Sequence, residues 1–194
     1  MRAALASLLV SLPALAEVPG GHVYFGLGGS WMVPLASSDM RGFRGPLHQA
    51  VALSVELAYE TQHALVAVGI EYGGLTAFQP EFGLVSLRAG WILGEGPTAP
   101  YLSAGMGLLR ESVQLRYDCV GGGCAVASAE GNGGALSLEA GVLFFRNLAV
   151  GRMVLAARLV EPFFEVRPQS GPSYVYLSGS DHLPLLLFTL RIYG

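Results

Sequence analysis

The chain has 194 residues, enough for one domain with a sizeable core. Hydrophobic residues make up 52% and charged residues only 13%, about half the charged share of an ordinary soluble domain. The net charge is −3 at pH 7, every basic residue is an arginine, and none of them cluster, which argues against a nucleic-acid-binding surface.

Residues 1–16 read as a secretory signal: Arg2 supplies the positive start, Ala3 to Leu12 the short apolar stretch, and Ala14-Leu15-Ala16 the small-x-small cleavage site. The predicted mature domain is 17–194. Within it no apolar run approaches the roughly 18 residues a spanning helix needs. An apolar chain without such a helix either hides its apolar side in a core or turns it to lipid as a closed β-barrel.

Strand-like alternation begins at His22 to Val33, where Val23, Phe25, Leu27 and Trp31 share one face and Tyr24, Gly26, Gly28 and Ser30 the other. A polar loop is predicted over 34–47. His48 to Glu60 then sets Val51, Leu53, Val55, Leu57 and Tyr59 against Ala50, Ala52, Ser54, Glu56 and Ala58. After three residues, Ala64 to Gly73 sets Val66, Val68, Ile70 and Tyr72 against Ala67, Gly69 and Glu71. Loop 74–81 follows, then Phe82 to Leu93, with Val85, Leu87 and Trp91 opposed to Ser86, Arg88 and Gly90. Beyond the turn 94–99, Pro100 to about Val113 sets Leu102, Ala104, Met106 and Leu108 against Ser103, Gly105 and Gly107, and its far end drifts out of register.

The glycine-rich stretch 114–132 is predicted as a long loop. It holds Cys119 and Cys124, which export to an oxidising compartment makes a disulfide pair; a metal site would need two more ligands than this pair supplies. Gly133 to Phe145 opposes Leu136, Leu138 and Val142 to Ser137, Glu139 and Gly141. A tight turn at 146–148 leads to Ala149 to Val160, with Met153, Leu155 and Leu159 against Arg152, Ala156 and Arg158. Loop 161–181 carries three prolines, and His182 to Tyr193 closes the series with Leu186, Phe188, Leu190 and Ile192 opposed to Leu185, Leu187, Thr189, Arg191 and Tyr193.

Eight such strands, each long enough to cross the hydrocarbon when tilted, predict an all-β, eight-stranded antiparallel up-and-down transmembrane β-barrel. Connections alternate long and short along the chain. Alternate connections lie at the same end of an up-and-down barrel, so the long loops gather at one end and the short turns at the other, as in outer-membrane barrels. Trp31, Trp91, Tyr59, Tyr72 and Tyr101 lie near strand ends and suit an aromatic girdle at headgroup level. The inverted reading, a secreted lipocalin-type binder, would leave an outer surface of Gly, Ala and Ser with one charge per strand, too few for solubility.

The polar face carries charges of both signs: Glu56, Glu71, Arg88, Glu139, Arg152, Arg158 and Arg191. An eight-stranded barrel has an interior just wide enough for side chains to fill, and a buried charge needs a partner. These residues are therefore expected to form an ion-pair network that plugs the lumen; the alternative is a polar path for protons or small solutes. Ser180-Asp181-His182 is too compact for a nucleophile–base–orienter relay, and His48 and His182 lack a carboxylate partner for a metal. No catalytic, metal or cofactor site is expected.

The whole mature chain resembles the small eight-stranded outer-membrane β-barrel proteins, the OmpA, OmpX and OmpW-like group. The resemblance rests on the signal ending Ala14-Leu15-Ala16, on the eightfold pattern, and on the run PYLSAGMGL at Pro100 to Leu108. That run is similar to the group's P-Y-x-x-A-G-x-G strand. Where the group commonly ends in an aromatic residue, here Tyr193 stands next to last. The resemblance implies insertion into a bacterial outer membrane by the barrel assembly machinery. The expected surroundings are outer-membrane lipid and lipopolysaccharide, with the protein a monomer that takes no cofactor and binds no nucleic acid. The function expected is that of a non-enzymatic barrel with a charge-plugged lumen and a structural or surface-interaction role through loops 34–47, 114–132 and 161–181. The alternatives are a narrow OmpW-type channel for small or hydrophobic solutes and a lipid A-modifying enzyme.

Overall fold

The computed structural model describes residues 21–35, 49–74, 81–116, 126–148, 151–168 and 183–194, with side chains at 113–116, 126–128 and 168 excepted. The predicted signal, Cys119 and Cys124, Ser180 to His182, His48 and most of the long loops lie outside the described residues.

Eight long strands form the wall: β1 (Gly21–Pro34), β2 (Ala50–Thr61), β3 (Ala64–Gly73), β4 (Glu81–Ile92), β5 (Thr98–Arg116), β6 (Val126–Phe144), β7 (Arg152–Pro162) and β9 (Leu185–Tyr193); β8 (Arg167–Pro168) is a two-residue strand. Each wall strand pairs antiparallel with its neighbours in sequence, β7 with β9 and β9 with β1, so the sheet closes on itself. The fold is the predicted eight-stranded, all-antiparallel up-and-down barrel.

The alternation read from the sequence decides which side faces out. Along β3, Val66, Val68, Ile70 and Tyr72 are exposed while Leu65, Ala67, Gly69 and Glu71 are buried. The same holds round the barrel, where Leu138 is 63% exposed, Met106 65% and Leu108 70%. A soluble monomer does not leave so continuous an apolar belt uncovered. Ten residues at about 3.3 Å rise, tilted about 45°, span roughly 23 Å, close to the apolar height of an outer-membrane barrel.

Three points depart from the sequence reading. The predicted loop 114–132 is in part a hairpin, because β5 runs on to Arg116 and β6 starts at Val126. The predicted loop 161–181 contains β8, which lies along this hairpin at Ala129 and Glu130. β5 does not slip out of register: Leu109 and Glu111 are buried and Arg110 exposed, so alternation continues through the adjacent leucines Leu108 and Leu109.

The lumen is filled in layers. Near the short-turn end Tyr24, Leu65, Ile92, Tyr101, Leu143, Val154 and Tyr193 form one apolar cluster. Near the long-loop end Met32, Phe82, Leu84, Leu109, Val160, Leu185 and Leu187 form another, with Phe164 packed on it. Glu56, Glu71, Arg88, Glu139, Arg158 and Arg191 lie between them. This explains why the inward face of the last strand reads as the least polar: Leu185 and Leu187 belong to the outer apolar layer, and only Thr189 and Arg191 reach the polar one.

Candidate functional site

Six of the seven charges singled out in the sequence meet at mid-lumen. Each arrives there because its strand alternates, so a Glu or Arg at an inward position has only the interior to enter. Glu139 on β6 is the hub. Arg191 from β9 grips it with two parallel hydrogen bonds, Nη1 to Oε1 at 3.1 Å and Nη2 to Oε2 at 2.8 Å. Arg158 from β7 approaches Oε2 through Nε at 3.2 Å, and Arg88 from β4 pairs with Oε1. Tyr101 donates its hydroxyl to the same carboxylate at 2.6 Å.

Glu56 on β2 pairs with Arg88, lies 3.5 Å from Arg191 Nε, and accepts the hydroxyl of Tyr193. Glu71 on β3 pairs with Arg158. The set holds three carboxylates, Glu56, Glu71 and Glu139, and three guanidiniums, Arg88, Arg158 and Arg191, and all six side chains are buried. A balanced cluster is the tolerable way to hold charge in a low-dielectric interior, where an unpaired ion would be strongly penalised. Small residues make the room. An added Cβ at Gly105 would strike the Arg88 side chain and the Leu87 carbonyl, and one at Gly26 would enter the Tyr193 ring.

Arg152, the seventh residue, is not part of this cluster. It sits at the short-turn end, where its Nη1 donates to Glu60 at 2.8 Å, its Nε donates to the Leu148 carbonyl, and its guanidinium stacks 4.0 Å from the Tyr24 ring. Glu60 also accepts from Arg146 Nε at 2.8 Å. Arg146 in turn donates to the carbonyls of Gly94 and Gln62, tying together the turns between β2 and β3, β4 and β5, and β6 and β7. The last of these turns holds Phe145 at φ 60° and Gly151 at φ 86°. An open cavity of about 380 Å³, lined in part by His22, Gln62, Glu95 and Arg146, forms the mouth at this end.

Sequence reading missed four participants. Tyr101 was expected in the girdle, yet it is 2% exposed and hydrogen-bonds inside. Its odd number places it opposite Leu102, so its register was the usable signal and its strand-end position the misleading one. Tyr193, Glu60 and Arg146 were likewise visible only as inward positions or turn residues. Trp31, Tyr72 and Trp91 do point outward and are at least half exposed; Trp31 and Tyr72 lie toward the long-loop end and Trp91 toward the other. Among the described residues no group of three or more metal-ligating side chains occurs.

No family model and no curated protein matches the chain. Among solved structures, the fold is that of the small eight-stranded outer-membrane β-barrels. Neisserial surface protein A, NspA, superposes with a TM-score of 0.54 at 17% identity, covering 89% of this chain and 98% of its own. Ail, the attachment invasion locus protein of Yersinia pestis, gives a TM-score of 0.49 at 14% identity, covering 91% and 99%. The similarity is one of fold.

Proposed function

We propose that the protein is an integral, non-enzymatic β-barrel of a bacterial outer membrane, with a lumen plugged by charge and a structural or surface-interaction role exerted through its long loops. One observation carries this reading: every wall strand turns apolar side chains outward, while mid-lumen holds three carboxylates paired with three guanidiniums. In that orientation the short turns face the periplasm and the long loops the exterior. Lipid and lipopolysaccharide would surround the belt, and the barrel assembly machinery would insert it.

The membrane placement is tested by expressing the chain in a Gram-negative host and fractionating the envelope. The reading predicts outer-membrane recovery and faster migration of the unboiled protein on a detergent gel. Recovery as a soluble periplasmic protein overturns it. The competing reading, a narrow channel, parts from this one in a planar bilayer, where a plugged barrel is silent.

A further inference from the structure

Four of the inward carboxylates, Glu56, Glu60, Glu71 and Glu139, sit against at least one arginine. Glu111 is the exception. It faces the lumen from β5, is 3% exposed, and neither carboxylate oxygen has a hydrogen-bond partner among the described residues. Its cross-strand neighbours are Phe82 on β4 and Gly131 on β6. Gly131 is covered by the Phe164 ring, and Leu109, the preceding inward residue on β5, belongs to the outer apolar layer.

The charged groups nearby are on the other side of the sheet. Glu81 on β4, Arg110 on β5, Glu130 on β6, and Glu165 and Arg167 around β8 are outward or only partly covered. Arg110 is engaged with Glu130, and Arg167 with Glu165. No described cation faces Glu111. The outward apolar run on β5 also ends at Leu108, since the next outward residue, Arg110, has a side chain 70% exposed. Glu111 therefore lies beyond the apolar belt, in the hairpin that rises from the barrel.

We infer that Glu111 is a proton-binding site in the outer compartment of the lumen, and that loss of its proton loosens the outer β5–β6 hairpin. A carboxylate walled by Phe82, Leu109 and Phe164 has no counter-ion among the described residues, so its stable form there is the neutral acid. Burial pushes this carboxyl up to about 8. An acid with a raised native value favours the closed hairpin fully below the unfolded range, near ~4.3. It loses that advantage as pH rises toward the native value, because the closed form holds one more proton than the open form over that window.

The test uses the full chain refolded into phosphatidylcholine vesicles. Hydrogen exchange of the amides at Glu111, Ser112, Glu130 and Gly131 is followed from pH 5 to 9.5 and corrected for intrinsic chemical exchange. Wild-type protection should fall by up to about tenfold per pH unit between pH 5 and 8 and flatten above. Glu111→Gln, which keeps the shape and removes the titration, should give a flat profile. A flat wild-type profile, or the same slope in Glu111→Gln, overturns the inference. An infrared measurement on the wild type does not depend on the variant folding. The C=O stretch of a buried protonated acid should be present at pH 6.5 and lost by pH 9.5, and its absence at pH 6.5 also overturns the inference.

Discussion

Replacing Glu139 by Gln removes the hub charge while keeping the side chain's shape. The carboxylate lies within 3.2 Å of Arg191 and Arg158, pairs with Arg88, and accepts from Tyr101. Unit charges about 4 Å apart interact by ~4 kcal/mol at an effective dielectric constant near 20, and much of that offsets desolvation. The net cost is set by what remains: three buried guanidiniums facing two carboxylates. Breaking a buried pair in this way costs about 3–5 kcal/mol. Gln keeps an acceptor for Tyr101, so a value of about 4 kcal/mol is expected. With a urea slope of ~2 kcal/mol per M, the unfolding midpoint in vesicles should fall by about 2 M. Tryptophan fluorescence and gel mobility of the unboiled protein both report it. A fall under about 0.5 M would refute the argument that Glu139 holds the network together.

Three further outcomes follow from the same geometry. Glu71→Leu alone leaves three guanidiniums facing two carboxylates, with Arg158 held only by Glu139, whereas Glu71→Leu with Arg158→Leu leaves Glu56, Glu139, Arg88 and Arg191 in balance; the double variant should unfold at higher urea than the single one. Leu87→Arg places a charge on the outer face at mid-belt, beside Val68 and Met106, and should lower folding stability in vesicles by about 2–4 kcal/mol. Arg146→Ala cuts the tie between three turns, so proteolysis at Gln62–His63 and Glu95–Pro97 should speed up while the central pairs, and most of the global stability, are kept.

Most of the architecture was legible because a barrel wall is a one-dimensional code: period two, repeated eight times, with one face fixed by lipid and the other by a narrow interior. The residues 64–73 illustrate this, since their predicted and observed strand limits coincide. What failed were places where the code is silent. The start of β6, VASAEGN, has no apolar face to read, so its pairing with β5 depends on the hairpin alone. The two-residue β8 is too short to carry any pattern. Leu108 and Leu109 looked like a slip because one packs outward in the belt and the other inward in the outer apolar layer, both needing the same residue type.

The candidate site divides along the same line. Alternation alone places Glu56, Glu71, Arg88, Glu139, Arg158 and Arg191 inside. Which charge meets which is decided by strand register and by the reach of each side chain across the lumen, and neither is written in the local sequence. Arg152 shows the difference. It has the right face and the right charge, but it lies at the very start of β7, well below Arg158, at the level of Glu60 and Tyr24. Register likewise leaves Glu111 above every arginine that serves the other inward carboxylates.

A lumen closed by its buried charges and apolar layers should conduct nothing, and single-channel recording shows whether it does. Purified wild-type protein, shown by gel mobility to be folded, is inserted into a planar bilayer under an applied voltage. A closed lumen gives no discrete conductance steps from the wild type. Reproducible steps from the wild type would contradict it and favour the channel.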